Sequence, residues 1–463
     1  MRFVLSCSIT LFVVQLATAA PLTAGAARVD ITPPPGTPLA GYYSLRGAEG
    51  THDPLFATAI VFEKDDVKVA LVSLDLIGTT FGMVTESRKL IEEKTGIPGK
   101  HVMISATHSH TGPVLSDGRP RNEAFGGSNK LAVDFMKGLP AKIAEAVQLA
   151  DKNRTAARLL RGIGREEGLA FNRRFHMTDG TIGWNPGKKN PNIVKPAGAT
   201  DPSVPVVLIE SADGKRPLAV YVNFAMHLDT VGGMFYSADY PYTLTKALSA
   251  VKGDDFITAF TIGTAGDINH INVESALPQK GHGEAARIGT RLAAEVLRTF
   301  DKLEVADDGP LKVSSMMVEL PLAPVTPDEL VSAKAVMAKL TAGEKPAPKF
   351  IDQVQAFKAV DVSDRLAKPY SVEVQVITLG KDLAWVSLPG EIFVELGLSI
   401  KNGSPYRQTM IAELANGAIG YVPSKVAYSQ GNYEVISARC AAGSGEMLVE
   451  AALSQLREQF NKK

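Results

Sequence analysis

The chain holds eight histidines in 463 residues, few enough to weigh one at a time. The densest grouping is Ser105-Ala106-Thr107-His108-Ser109-His110-Thr111-Gly112-Pro113, fed by an apolar run over residues 102–104. In an extended chain, residues two apart point to the same side. The spacing therefore predicts that His108 and His110 present two imidazoles to one point, with Gly112-Pro113 stopping the strand beyond them. Strand ends in α/β proteins are where sites are commonly built. Metal ligation is the chemistry open to such a pair; two hydrogen-bonded loop histidines are the alternative.

Three further segments bear on that chemistry. Val220-Tyr221-Val222-Asn223-Phe224-Ala225-Met226-His227 is a buried-looking strand ending on a single histidine. Alone, His227 reads as a packed core residue; beside the first motif it becomes a second ligand from a distant part of the chain. Ala384-Trp385-Val386-Ser387-Leu388-Pro389-Gly390-Glu391 is a strand stopped by Pro-Gly, with a carboxylate just beyond. Residues 392–400 read as a helix, so Glu391 also fits an acid favoured by a helix N-terminus. Thr264-Ala265-Gly266-Asp267-Ile268-Asn269-His270-Ile271-Asn272 gathers polar groups among small residues, or is an ordinary Asx-rich turn.

These pieces need a scaffold. Short β-rich runs over residues 57–62, 67–76, 102–106, 204–209, 218–223, 256–262, 372–379 and 409–414 alternate with helical rhythms over 83–94, 131–149, 285–300 and 447–460. The alternation predicts an α/β fold of layered mixed sheets flanked by helices. Residues 327–359 are helical and charged, with a break over 343–348, and read as a helical insertion over the core. Residues 33–35 and 184–198 read as surface loops. Length alone suggests about three domains, but the pattern reads as one catalytic unit spanning 20–463.

Charge and cysteine content narrow the setting. With 49 basic and 49 acidic side chains, nothing favours nucleic acid or an anionic membrane surface. Arg2, the apolar run over 3–16 and Ala17-Thr18-Ala19 read as a signal peptide over 1–19, implying a periplasmic or secreted protein. No later stretch is apolar enough for a membrane helix. Of the two cysteines, Cys7 leaves with the signal, and Cys440 alone cannot form an intramolecular disulfide. Any metal must be held by His, carboxylate or Tyr.

Together the segments resemble the neutral/alkaline non-lysosomal ceramidase family. Thr107-His108-Ser109-His110-Thr111-Gly112-Pro113 is similar to that family's Thr-His-Thr-His-Ser-Gly-Pro, Asn223–His227 to its Asn-Trp-Phe-Ala-x-His, and Leu388–Phe393 to its Pro-Gly-Glu-Phe. Asp30-Ile31-Thr32-Pro33, Ala40-Gly41-Tyr42, the segments beginning at His52 and Val72, Asn172-Arg173 and Asp201-Pro202 follow in the family's order. The family's immunoglobulin-like C-terminal domain has no counterpart. The resemblance implies a zinc ion held by His108, His227, Glu391 and a tyrosine, Tyr433, with Tyr421 and Tyr428 close by. It implies that His110 and Arg173 contact substrate. The family's catalytic serine is replaced by Asn269, and His270 stands where it has proline. Asn cannot be a nucleophile, though its amide can donate a hydrogen bond.

The reading is a zinc-dependent hydrolase cleaving a linear amide, ceramide or another N-acyl compound, with a small-molecule or lipid-like partner. Two others stand beside it: a metal-dependent hydrolase or lyase acting on an ester or glycan linkage, and a binding protein that kept the fold. Ser444 does not lie in a Gly-x-Ser-x-Gly elbow, and no Walker or dinucleotide fingerprint occurs.

Overall fold

A computed structural model describes residues 21–462; the signal-peptide reading lies outside them. The larger sheet has nine strands. Its main path runs Ile257–Ile262, Pro217–Phe224, Ser203–Ser211, Thr155–Arg165, Thr23–Asp30, Phe56–Lys64, Val67–Leu74, Val102–Ala106. Neighbours are antiparallel except at the two ends, where 217–224 pairs with 257–262 and 67–74 with 102–106 in parallel. The strands leading to His108 and His227 thus belong to the two parallel ends. A second sheet orders Leu311–Leu320, Tyr370–Leu379, Leu383–Ser387 and Gln408–Ala412.

The period-2 alternation of side chains assembles these into four layers. In Val67–Leu74, Val69 and Leu71 face the second sheet's Ile377, Leu379, Trp385 and Met410. Their neighbours Ala70, Val72 and Leu74 face helices Phe81–Thr95 and Lys130–Lys152. At the other end of the large sheet, Val220 and Val222 face Tyr240–Lys252 and His282–Phe300. Val372, Val374 and Val376 turn from the inter-sheet core towards Val394–Gly403 and Ser444–Asn461. The order is helices, sheet, sheet, helices, the α/β layering the sequence implies. Strands buried on both faces have no polar side to show, which is why they read as unbroken apolar runs.

Several local expectations change. Thr23–Asp30 and Thr155–Arg165 are central strands, although Arg158, Arg161 and Arg165 interrupt the apolar pattern of the second. Arg158 pairs with Glu210, and Arg161 with Glu304 and Asp382. The region 184–198 is only partly loop: Ile182–Trp184 and Ile193–Pro196 flank Arg174–Met177 in a three-stranded sheet. The helix after Glu391 starts at Val394, and Glu391–Ile392 instead pairs with Tyr421–Val422 in parallel.

The helical segment is an excursion between two strands paired directly with each other, Leu320 opposite Tyr370. Pro327–Thr341 opens with a capping box between Thr326 and Glu329, worth about 1 kcal/mol. Phe350–Asp364 follows and buries Val354 against Tyr421 and Tyr433. The excursion is therefore also a wall of the site described next. No helix among the described residues is long and apolar enough to cross a membrane.

Candidate metal centre

The strand Val102–Ala106 ends before the first histidine motif rather than running through it. Thr107 and His108 still donate their N–H groups to Leu74 and Leu76, but His108 has φ of 75°. Left-handed backbone costs a non-glycine residue about 1–2 kcal/mol. The alternation argument for His108 and His110 is therefore corrected: a kink, not an extended strand, turns the rings together. Their centroids are 4.8 Å apart and their Nε2 atoms 3.2 Å apart.

His227 lies three residues beyond Pro217–Phe224, its N–H bonded to Ile268 O at 3.2 Å. Asn223 donates to Ile411 O at 2.9 Å, tying this strand end to the second sheet. Glu391 arrives from that sheet through Leu388-Pro389-Gly390, and its N–H binds Gly420 O at 2.9 Å. Gly266 lies against it: a Cβ there would come within 2.5 Å of Glu391 O.

Three pieces of chain thus converge. The rings of His108 and His227 stand 4.6 Å apart at 88°. The His108 Nδ1 lies 2.7 Å from Ile77 O and the His227 Nδ1 2.8 Å from Ala265 O. A carbonyl can only accept, so each Nδ1 carries a proton, and the neutral form of each ring offers its Nε2 lone pair to the site. Both Nε2 atoms lie 3.4 Å from one atom, Glu391 Oε2. That oxygen is buried and has no hydrogen-bond partner.

The charge states suit this arrangement. Burial, then the Arg173 cation, hold the His227 imidazole below its usual value. Burial and then His108 hold His110 well below. Burial would raise the Glu391 carboxyl, but its interactions with the adjacent His108 and His227 rings outweigh burial and hold it well below its usual value. Two imidazoles whose Nδ1 atoms are tied to carbonyls, with an orphaned carboxylate oxygen facing both Nε2 atoms, are a donor set for a divalent cation. Zinc ligands at about 2.0–2.1 Å in a tetrahedron stand about 3.3–3.4 Å from one another, the separation seen here from each Nε2 to Oε2. The residues present fit zinc.

Of the C-terminal tyrosines, Tyr421 reaches the cluster. Its hydroxyl is 3.5 Å from His227 Nε2 and accepts from Arg173 Nη2 at 3.0 Å. Tyr433 lies behind, its ring 5.3 Å from that of Tyr421 and 4.5 Å from Trp184. Tyr428 points away and donates to Cys440 O at 2.7 Å. Burial pushes the hydroxyls of Tyr421 and Tyr433 well above their usual range.

Arg173 is buried, with Nε and Nη2 engaged by Glu434 at 2.8 Å, Gly266 O at 2.7 Å and Tyr421. It positions Tyr421. Asn269 is also buried; its amide donates to Asn185 Oδ1 at 3.0 Å and its oxygen accepts from Ile271 N–H. These bonds brace the loop whose Ile268 carbonyl accepts the His227 N–H. His270 has Nδ1 3.1 Å from Asp229 Oδ1 and Nε2 2.7 Å from Gln279 O. Burial opposes its charge, but Asp229 outweighs burial and raises it.

Glu434, Arg174 and Asp229 did not emerge as site residues from the sequence, and Tyr421 stood there only as a neighbour of the Tyr433 assignment. Glu434, fully buried, binds both Arg173 and Arg174 at 2.8 Å. The consecutive arginines beside Asn172 were the available signal, since two buried cations demand a buried anion. Asp229 stands two residues after His227, near enough to be noticed. The two-residue pairing of Glu391 with Tyr421 was too short to read.

No protein-family profile matches this sequence, and no curated protein does either. Solved structures do. The neutral ceramidase of Pseudomonas aeruginosa superposes with a TM-score of 0.73 at 18% identity, over 96% of this chain and 75% of that one. A ceramidase in complex with C2 superposes with a TM-score of 0.72 at 18% identity, over 95% and 76%. At that identity the likeness speaks for architecture, and over nearly the whole length it does so without ambiguity. This chain carries the fold of the neutral ceramidases.

Proposed function

We propose that this protein is a zinc-dependent hydrolase that cleaves a linear amide in an N-acyl substrate. The observation that carries the reading is the pair of Nε2 atoms, each 3.4 Å from the unpartnered Oε2 of Glu391. His108, His227 and Glu391 hold the ion, and the Tyr421 hydroxyl is the nearest phenol, with Tyr433 behind it. A zinc ion bound there supplies Lewis acidity, polarising a scissile carbonyl and making water nucleophilic at neutral pH.

The chain's own residues do the rest. Ile77 O and Ala265 O fix the tautomer and aim of the two imidazoles. Arg173 holds the Tyr421 hydroxyl in place. His110, a neutral ring with an unpartnered Nδ1, is placed to take the proton that the attacking water releases and return it to the departing amine. Tyr42 packs edge-on to the His110 ring at 5.4 Å and limits its rotation. Asn269 bears no nucleophilic atom, so attack falls to water.

Ceramide is one member of the N-acyl class that the fold favours. The exported location is part of the same reading, resting on residues 1–19. The test is elemental analysis of the purified protein, followed by assay of ceramide, N-acyl amino acids, esters and uronate glycans with and without chelator. The reading predicts about one zinc per chain and chelator-sensitive release of amine from an N-acyl compound. Zinc-containing protein that cleaves only esters or glycans overturns the amide assignment.

A further inference from the structure

Beside His108 and Glu391 opens a narrow cleft whose wall carries three arginines, Arg119, Arg121 and Arg439. Two have anionic partners: Arg119 pairs with Asp117, and Arg439 with Asp361. Arg121 has no ion pair among the described residues. Its one hydrogen bond is a long contact from Nη2 to Gly41 O at 3.4 Å, and its guanidinium lies 4.4 Å over the Tyr43 ring. It is half-buried at the start of Pro120–Ala124.

A guanidinium is always charged and has five N–H donors in a planar fork. Here nearly all of them are free, on a side chain already stacked and half removed from bulk water. The fork matches a carboxylate in bidentate geometry. We infer that Arg121 is an anion-recognition residue and that the natural substrate carries a carboxylate near its scissile bond. This rests on the reading that the cleft and the metal centre form one site. It narrows the N-acyl class to compounds such as N-acyl amino acids, in which an amide and a carboxylate lie a few bonds apart.

The test uses the zinc-loaded full chain and two probes, N-octanoylglycine and its uncharged analogue N-octanoylglycinamide. Calorimetry measures binding of each, and a separate assay measures amine release. The wild type is expected to bind the carboxylate probe about 10- to 100-fold more tightly than the amide probe. Arg121→Gln is expected to bring that ratio close to one. Arg121→Lys should keep part of it, charge without the fork. Arg121→Met, which preserves the stem over Tyr43, gives the same readout if the Gln variant does not fold. No preference in the wild type, or a preference that survives in the neutral variants because the carboxylate sits on the metal instead, overturns the inference. Hydrolysis without carboxylate preference removes the role of Arg121 and leaves the amidase reading standing. Preference without hydrolysis does the reverse.

Discussion

Among the described residues, two groupings bring two imidazoles to a carboxylate: His108, His227 and Glu391, and His52, Asp53 and His282. In the first, the rings cross at 88°. Backbone carbonyls take both Nδ1 protons, and a carboxylate oxygen with no other partner lies 3.4 Å from each Nε2. In the second, the rings of His52 and His282 are stacked 3.5 Å apart and only 10° from parallel. Lone pairs in the planes of parallel rings run side by side and do not meet at a point. The carboxylate is also satisfied: Asp53 accepts from Ser237 Oγ at 2.8 Å and Ala238 N–H at 2.6 Å, and lies 2.9 Å from His52 Nδ1. Proximity is similar in both. Convergent lone pairs and an orphaned acceptor distinguish the candidate metal centre, and the same residue types at His52, Asp53 and His282 lack both.

Substitutions can break that contrast. The largest expected effect is on zinc: His108→Ala or His227→Ala lowers affinity about a hundredfold or more, while His52→Ala or His282→Ala leaves the stoichiometry at the wild-type value, both read by competition with a chromogenic chelator. Next, Asp53→Ala lowers stability by about 2–3 kcal/mol, because two donors lose a buried acceptor, with zinc content unchanged; urea unfolding and elemental analysis check the two halves. Within the first cluster, Tyr421→Phe lowers kcat/KM about tenfold and Tyr433→Phe less, since only the Tyr421 hydroxyl touches His227 and Arg173. Equal losses would place both phenols at the ion.

The smallest effect sharpens the second cluster. Burial, and then His52, hold the His282 imidazole below its usual value. An imidazole depressed on folding is more protonated in the unfolded chain between its two pKa values. Its contribution is present above about 6.5 and fades as pH falls through the folded value. His282→Asn should therefore flatten the fall in stability between pH 7 and pH 5, with thermal melts at both pH values as the measurement.

The legible part of this site was the part written as patterns. Strands that end on a histidine, or on Pro-Gly followed by a carboxylate, announce a position at a sheet's end, and His227 and Glu391 could be found that way. The layered α/β architecture followed from apolar runs alternating with helical rhythms. His108 was found for an incomplete reason: its ring faces His110 because of a left-handed backbone, and no pattern of side chains reports a φ angle. Tyr421 could be named only as a neighbour of Tyr433, because its link to Glu391 is a two-residue pairing between segments some thirty positions apart. Thr155–Arg165 was missed because its arginines pair across strands, and cross-strand partners are invisible until the sheet is assembled. Arg121 has the opposite character. It matters because a partner is missing, and an absence can be seen only when every neighbour is in place.

The most direct test of the central claim is a crystal of the full chain grown with zinc and measured on both sides of the zinc absorption edge. The account predicts one strong anomalous peak within about 2.0–2.2 Å of the Nε2 atoms of His108 and His227 and of Glu391 Oε2. A peak between His52 and His282 with none at Glu391, or no peak in zinc-loaded protein, would contradict it.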